Sequence, residues 1–106
     1  MTPPIQISEQ DWLEAKRILA AQVPHLEVWA FGSRASGHAK PYSDLDLALI
    51  TSQPLSLAQL ADITYAFESS DMTIRVDVMD WANSSEAFRQ IVSSNKVVVQ
   101  PAPATS

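Results

Sequence analysis

The sequence predicts a small α/β domain with one hydrophobic core, and three observations support this fold class. The chain has 106 residues, which is enough for one core but not for two. Segments with apolar residues at helical spacing alternate with short apolar runs rich in β-branched residues. There is no cysteine, so neither disulfides nor thiolate metal sites contribute. We predict a single domain over residues 1–100, followed by a disordered tail over residues 101–106.

Three helices are predicted from apolar spacing and capping residues. The first covers Glu9–Gln22, with Ser8 as its N-cap. The second covers about Leu57–Glu68. The third covers about Ser85–Ser93 and is capped by Ser84. It is expected to bury three apolar side chains, those of Phe88, Ile91 and Val92.

Four strands are predicted between these helices. Each is a short run of apolar and β-branched residues, or alternates polar with apolar residues. They cover Glu27–Phe31, Asp44–Ile50, Thr73–Asp80 and Lys96–Val99. Helices and strands therefore account for most of the chain.

Both glycines of the chain, Gly32 and Gly37, lie in the loop that follows the first predicted strand. Glycine tolerates positive φ and lets the backbone approach a ligand closely. If the loop leads into a helical turn, its free N–H groups can bind phosphate oxygens. Ser33 adds a hydroxyl and Arg34 adds a cation. The alternative is a tight turn with a surface arginine, since a Gly-Ser pair alone is a weak signal.

Two aspartates, Asp44 and Asp46, begin the second predicted strand. Residues two apart on a strand share a face and lie about 7 Å apart. Aspartate is depleted in strands and is costly to bury unpaired, so core packing does not favour this pair. A hard cation would stabilise it, and Mg²⁺ suits one or two carboxylates plus substrate phosphates. The alternative is a strand end where both face water. Tyr42, just before the pair, either packs on the loop, which we favour, or stacks on a base.

A third carboxylate, Asp77, lies in the middle of the third predicted strand. On a neighbouring strand it would face the aspartate pair and complete a metal-binding triad. It is also a candidate general base toward an incoming hydroxyl. Two alternatives stay open: Asp77 is solvated and paired with Arg75, or Asp80 takes the third position.

The combined motifs resemble the nucleotidyltransferase superfamily that includes DNA polymerase β. The resemblance covers about residues 10–99 and is strongest to the minimal nucleotidyltransferases, which are often encoded beside a HEPN-domain ribonuclease as toxin–antitoxin pairs. It implies a polymerase β-like catalytic core, with a small mixed β-sheet flanked by helices (an α+β arrangement). The motifs that carry it are Phe31-Gly32-Ser33-Arg34-Ala35-Ser36-Gly37, Ser43-Asp44-Leu45-Asp46-Leu47 and Val76-Asp77-Val78.

The resemblance also implies roles for individual residues. Gly32 and Ser33 would hold the nucleotide phosphates, and an arginine at the position of Arg34 recurs in the minimal members. The three aspartates, Asp44, Asp46 and Asp77, would bind two Mg²⁺ ions and carry catalysis.

The function implied is Mg²⁺-dependent transfer of AMP from ATP to a side-chain hydroxyl of a partner protein. The resemblance points to a tyrosine of a HEPN ribonuclease toxin, so the chain would be a protein adenylyltransferase and an antitoxin in a hetero-oligomer. Two alternatives stay open. One is a transferase acting on a small molecule or RNA with a partner subunit, and the other is a non-catalytic antitoxin that acts by binding alone.

Charge and length bear on the acceptor. Seven Lys and Arg residues against twelve Asp and Glu residues give a net charge of −5, and the basic residues are scattered. A nucleic-acid binder normally has a basic face, so direct nucleic-acid binding is disfavoured. The short chain leaves no room for an acceptor-binding domain, so we expect another molecule to bring the acceptor. With no membrane-length apolar run and no signal-peptide pattern, we expect a cytoplasmic protein.

Overall fold

In the computed structural model, which describes residues 2–103, four strands form one mixed sheet. Their order across the sheet is β3-β2-β1-β4. The central strand β1 is antiparallel to both of its neighbours, β2 and β4, whereas β3 is parallel to β2. The strands are β1 Glu27–Phe31, β2 Leu45–Ile50, β3 Val76–Asp80 and β4 Val97–Gln100.

Most of the predicted helix bounds are confirmed. The predicted bounds of the first two long helices and of β1 agree with the structure at both ends. The last helix begins one residue later than predicted, because the hydroxyl of Ser85 rather than Ser84 caps it and accepts the N–H of Phe88. A 3₁₀ turn over Trp81–Asn83 precedes it. The helices are α1 Glu9–Gln22, α2 Ser33–Ser36, α3 Leu57–Glu68 and α4 Glu86–Ser94.

Three strands start later than the sequence predicts. β3 begins at Val76 because the N–H of Thr73 donates to the Asp11 carboxylate, at 2.9 Å, and not to a neighbouring strand. β2 begins at Leu45, so Asp44 precedes the strand. β4 runs from Val97 to Gln100.

The sheet carries an apolar layer on each face. On one face, α1 and α3 cover the alternate residues of β2, namely Leu45, Leu47 and Leu49. On the other face, Val92 of α4 packs with Trp29 and Ala48. On this second face β2 also carries Ile50, which packs against the same cluster, and Asp46, which lies at the start of the strand. The strand therefore places one carboxylate on a face where its other side chains are apolar.

The predicted burial of α4 is partly wrong. Val92 is fully buried, but the side chain of Ile91 is 63% exposed and that of Phe88 is 39% exposed. The helix packs on the sheet along a narrow line, in which Phe88 meets the ring of Phe31 edge-on with 5.8 Å between centroids. Ile91 lies outside that line and faces solvent.

Two buried carboxylates fix the two ends of β3. Asp11, on α1, accepts hydrogen bonds from the N–H and the hydroxyl of Thr73, just before the strand. Asp80, the last residue of the strand, accepts from the hydroxyl of Thr51 and from the N–H of Leu55 at 2.7 Å. These bonds hold β3 against α1 and the β2–α3 loop, and so stabilise its register with β2.

The structure describes the predicted tail only in part. Residues 101–103 form neither helix nor strand. Residues 104–106 of the predicted tail, like residue 1, lie outside the described residues. Within residues 2–103, the helices are all too short or too polar to cross a membrane.

We predict that Asp11→Ala lowers the free energy of unfolding by about 2–3 kcal/mol, because it removes two charge-assisted hydrogen bonds that a buried carboxylate accepts from Thr73. Asp11 is 2% exposed. Urea unfolding followed by circular dichroism measures the change. The matched control is Asp62→Ala, at an exposed position of α3, which should change stability by less than about 0.5 kcal/mol. Equal effects of the two substitutions would contradict this role of Asp11.

Candidate active site

A single helical turn follows β1, as the glycine pattern predicts. Gly32 has φ +77° and is the N-cap of α2, and its carbonyl accepts the N–H groups of Ala35 and Ser36 at 3.1 and 3.0 Å. Gly37, with φ +87°, ends the turn in the left-handed conformation. The first N–H groups of such a turn, which include that of Ser33, precede its first internal hydrogen bonds and can bind an anion.

Gly32 is in close contact with Asp46. The pairing of β1 with β2 sets Phe31 opposite Asp46, so the residue after Phe31 lies beside the carboxylate. A Cβ at position 32 would lie 3.3 Å from Asp46 Cγ and would overlap Oδ2. Only glycine leaves room for the Asp46 carboxylate in this position, and the turn and Asp46 therefore form one site.

The structure brings Asp77 to the same place. The parallel pairing of β2 with β3 sets Asp46 beside Asp77, on strands about 4.8 Å apart and on one face of the sheet. Asp44 lies two residues before Asp46, at the entry to β2. Asp80 lies three residues beyond Asp77, so it faces the other side of the sheet, where it is buried and bonded to Thr51. Of the two candidates for the third position, Asp77 is the one that faces the pair.

The charges of the aspartates act on Asp46. Burial raises the pKa of the Asp46 carboxyl, and the neighbouring charges of Asp77 and Asp44 raise it further. Such a cluster is unfavourable without a cation, and its oxygen donors are the ligands that Mg²⁺ prefers. Within residues 2–103, no group of three acidic, histidine or cysteine side chains is arranged so that it could hold a metal ion by itself. In general, Mg²⁺ can bind through one or two carboxylates, with waters and substrate phosphates completing its shell.

The side chain of Arg34, which we predicted to contact the nucleotide, is buried and bonded to backbone. Its side chain is only 7% exposed, and its guanidinium donates to four backbone carbonyls. A direct contact with a nucleotide would require some of these bonds to be exchanged. Sequence reasoning missed this arrangement because backbone acceptors leave no signal in the residue types. It also missed Gln6, whose carbonyl is one of the four and whose side chain accepts the N–H of Ala39 at 2.9 Å.

Tyr42 lies on the loop that leads to Asp44. We expected its ring to pack on the loop, which is wrong, since the residue is 80% exposed. The loop folds back through the N–H of Ser43, which donates to the carbonyl of Lys40 at 3.0 Å, so the intervening ring points outward. The face of the ring is therefore accessible to solvent, on the loop that leads to Asp44.

Comparison with known proteins defines the class to which this fold and site belong. The family model described as polymerase beta, nucleotidyltransferase, matches residues 14–103. The chain therefore belongs to the polymerase β nucleotidyltransferase family, as its motifs predicted. A curated relative from Haemophilus influenzae, named probable protein adenylyltransferase MntA, is 46% identical over 96 residues, which cover 91% of this chain and 84% of that protein.

Solved structures share the fold. A toxin–antitoxin complex with AMP-PNP matches with a TM-score of 0.73 at 21% identity, over 85% of this chain and 73% of that one. A tri-AMPylated Shewanella oneidensis HEPN toxin in complex with an MNT antitoxin gives a TM-score of 0.69 at 18% identity, over 90% and 73%. A protein described as a minimal nucleotidyltransferase gives 0.65 at 27% identity, over 87% and 97%. The predicted mixed sheet and polymerase β-like core are confirmed.

The contact between Gly32 and Asp46 predicts unequal effects of two alanine substitutions. Both glycines have positive φ, so each Gly→Ala change costs about 1–2 kcal/mol of backbone strain. A Cβ at Gly37 meets nothing within 4 Å, whereas a Cβ at Gly32 overlaps the Asp46 carboxylate. We expect Gly32→Ala to be the more destabilising in urea unfolding, with Gly37→Ala as its matched control. Equal losses of stability would show that the Asp46 carboxylate moves aside at no energetic cost, and would contradict this prediction.

The raised pKa of Asp46 predicts the effect of removing its charge. An acid whose pKa is higher in the folded state lowers the stability of the fold as pH rises through the interval between its unfolded and folded pKa values. The loss of stability then persists at every higher pH. We therefore expect Asp46→Asn to raise the melting temperature in EDTA at pH 7.5, and to raise it less at pH 4. Differential scanning calorimetry measures both, with Asp62→Asn as the control at an exposed site. A melting temperature at pH 7.5 that is unchanged or lower would contradict the repulsion.

Proposed function

We propose that this chain is a Mg²⁺-dependent protein adenylyltransferase that moves AMP from ATP to a side-chain hydroxyl of a HEPN toxin and so acts as its antitoxin. The observation that carries the proposal is the convergence of the Gly32 turn with Asp46 and Asp77 on one face of the sheet. The relative named a probable protein adenylyltransferase supports the reaction. The similar fold found beside an AMPylated HEPN toxin supports the partner, and a tyrosine hydroxyl follows from the family resemblance.

The residues of the chain divide the work of the transfer. The N–H groups at the start of α2 and the hydroxyl of Ser33 bind phosphate oxygens. Asp44, Asp46 and Asp77 are the residues that would hold Mg²⁺. When bound, Mg²⁺ neutralises charge on the triphosphate and on the departing pyrophosphate and favours ionisation of the attacking hydroxyl.

The reaction is a displacement at the α-phosphorus. A bond forms between the acceptor oxygen and the α-phosphorus, and the bond from the α-phosphorus to the bridging oxygen of the β-phosphate breaks. Pyrophosphate leaves with the electron pair of that bond. The acceptor hydroxyl gives up its proton, and the exposed Asp77 carboxylate would accept it.

The placement of the strands suggests the side from which the acceptor arrives. In-line displacement sets the attacking and leaving oxygens on opposite sides of the phosphorus. The phosphate turn follows β1, whereas Asp77 lies on β3, which is an edge strand on the far side of β2. With pyrophosphate leaving beside Gly32, the hydroxyl would approach over Asp77. A cavity of about 540 Å³ borders this edge, lined among others by Phe67, Met72 and Asp77.

The base of the nucleotide has a candidate contact as well. Tyr42 is exposed on the loop between the phosphate turn and Asp44. Aromatic rings stack on any base, so this contact would add affinity without selecting adenine. The proposal of ATP as donor rests on the named relative and on the family resemblance, not on a base-reading contact.

The test is transfer of label from α-³²P-ATP to a purified HEPN-domain toxin, with and without Mg²⁺. We expect label on the partner with the wild type and at least about 100-fold less with Asp44→Ala, Asp46→Ala or Asp77→Ala, because each removes a charged group that acts in the transition state. Asp62→Ala is the matched control and should transfer at the wild-type rate. Mass spectrometry of the labelled partner identifies the modified hydroxyl, which we expect to be a tyrosine.

Two outcomes would contradict the proposal. Toxin neutralised equally by the wild type and by Asp44→Ala, with no label incorporated, would establish an antitoxin that acts by binding alone. Label found on RNA or on a small molecule, and not on the partner, would establish a different acceptor.

A further inference from the structure

Arg34 is a buried cation that donates to backbone carbonyls, and within residues 2–103 its hydrogen-bond partners are all uncharged. Its Nε donates to the carbonyl of Ser43 at 2.8 Å, and its Nη1 donates to that of Gln6 at 2.6 Å. Its Nη2 donates to the carbonyls of Lys40 and Pro41, each at 3.3 Å. The side chain has only 7% exposure. A buried guanidinium needs most of its five donors satisfied, and here the acceptors come from two separate segments of backbone.

These bonds join three parts of the chain around the site. Arg34 itself belongs to the phosphate turn α2. Gln6 belongs to the segment before α1, and its own N–H donates to the carbonyl of Arg34 at 2.8 Å. Lys40, Pro41 and Ser43 belong to the loop that ends at Asp44.

The bond to Ser43 is the one closest to the chemistry. Ser43 directly precedes Asp44, so fixing its carbonyl fixes the peptide plane from which the Asp44 side chain extends. The same residue closes the turn from the other side, since its hydroxyl accepts the N–H of Lys40 at 2.9 Å. Asp44 lies outside the β2 ladder, so on its N-terminal side these contacts, rather than strand pairing, hold the backbone that carries its carboxylate.

We propose that Arg34 is a positioning residue: it holds the Asp44 carboxylate in place for the divalent metal through the backbone of Ser43, and it does not bind the nucleotide. The inference rests on the proposed function, since it gives Asp44 a metal to hold. A lysine at this position keeps the charge but presents one compact ammonium, which cannot reproduce a planar fork spanning four carbonyls. The two roles of Arg34 therefore predict different behaviour of the same variant.

The experiment compares Arg34→Lys with the wild type in two measurements. The first is the Kd for Mn²⁺ without nucleotide, from titration calorimetry, which should rise by about 10- to 100-fold, as is typical when a group supporting a metal ligand is lost. The second is steady-state transfer, in which the Mg²⁺ concentration for half-maximal rate should rise, while KM for ATP at saturating Mg²⁺ stays within about twofold. Arg17→Lys, at an exposed position of α1, is the matched control and should change neither.

A second variant loosens the same loop without touching the cation. Ser43→Ala removes the hydroxyl that accepts the N–H of Lys40. We expect a weaker rise in the Mn²⁺ Kd in the same direction, and faster amide hydrogen exchange over residues 40–44 in both variants. If Arg34→Lys does not fold, Ser43→Ala decides the matter, and an unchanged Kd for Mn²⁺ in that variant overturns the proposal.

The remaining outcomes separate this inference from the function on which it rests. A tenfold rise in KM for ATP with unchanged Mn²⁺ affinity would make Arg34 a phosphate ligand and overturn its positioning role. Mn²⁺ binding that Asp44→Ala weakens but Arg34→Lys does not would also overturn that role, and would leave the metal site itself intact. A wild-type protein that binds no Mn²⁺, either alone or with a non-hydrolysable ATP analogue present, would overturn the proposed function along with this inference.

Discussion

The contact between the Asp46 carboxylate and the backbone of Gly32 is the constraint on which the site depends. It exists because β1 and β2 pair with Phe31 opposite Asp46, and because position 32 has no Cβ. The positive φ of Gly32 then turns the chain directly into α2. One residue therefore serves two purposes, since it admits the carboxylate and begins the turn α2. The proposed function needs phosphate and metal ligands within a few ångströms of each other, and one strand pair would supply both.

The position of Asp77 depends on the rest of the sheet. It lies beside Asp46 only in the observed register of β2 and β3, and a shift by one residue would turn it to the opposite face. Asp11 and Asp80, which are bound at the two ends of β3, resist such a shift. Both are buried carboxylates whose hydrogen-bond donors are N–H and hydroxyl groups. The scaffold thus uses two aspartates to place a third.

The elements that the sequence predicts best are those with local determinants. α1 follows from its cap at Ser8 and its apolar spacing, and both its bounds are confirmed. The start of β3 was predicted too early because the N–H of Thr73 is bound by Asp11, which lies 62 residues away in the chain. The shift in α4 arose from two adjacent serines, of which either has the chemistry of a cap.

The same distinction holds at the site. The motif identifies the Gly32 turn and the aspartate pair, because glycine and paired carboxylates are unusual in such positions. The choice between Asp77 and Asp80 stayed open in the sequence, and it is the strand register that sets Asp77 beside Asp46. The partners of Arg34 were not predictable, since Gln6 lies 28 residues away and acts through its carbonyl. Nonlocal contacts to backbone are the part that residue types do not encode.

Arg34 donates to carbonyls and not to a carboxylate, and this has an electrostatic consequence for the proposed metal ligands. A buried arginine is usually paired with a carboxylate, and Asp44 follows directly on the residue that Arg34 contacts. Had the guanidinium bound that carboxylate, it would have neutralised a charge that a divalent cation requires. By binding the carbonyl of Ser43, the Arg34 guanidinium fixes the loop and leaves the charge of the Asp44 carboxylate unneutralised. The raised pKa of Asp46 is consistent with this division, since the neighbouring charges of Asp77 and Asp44 still act on it. The fold thus holds the backbone beside its acidic cluster without compensating the cluster's charge, which a bound Mg²⁺ would neutralise in the proposed function.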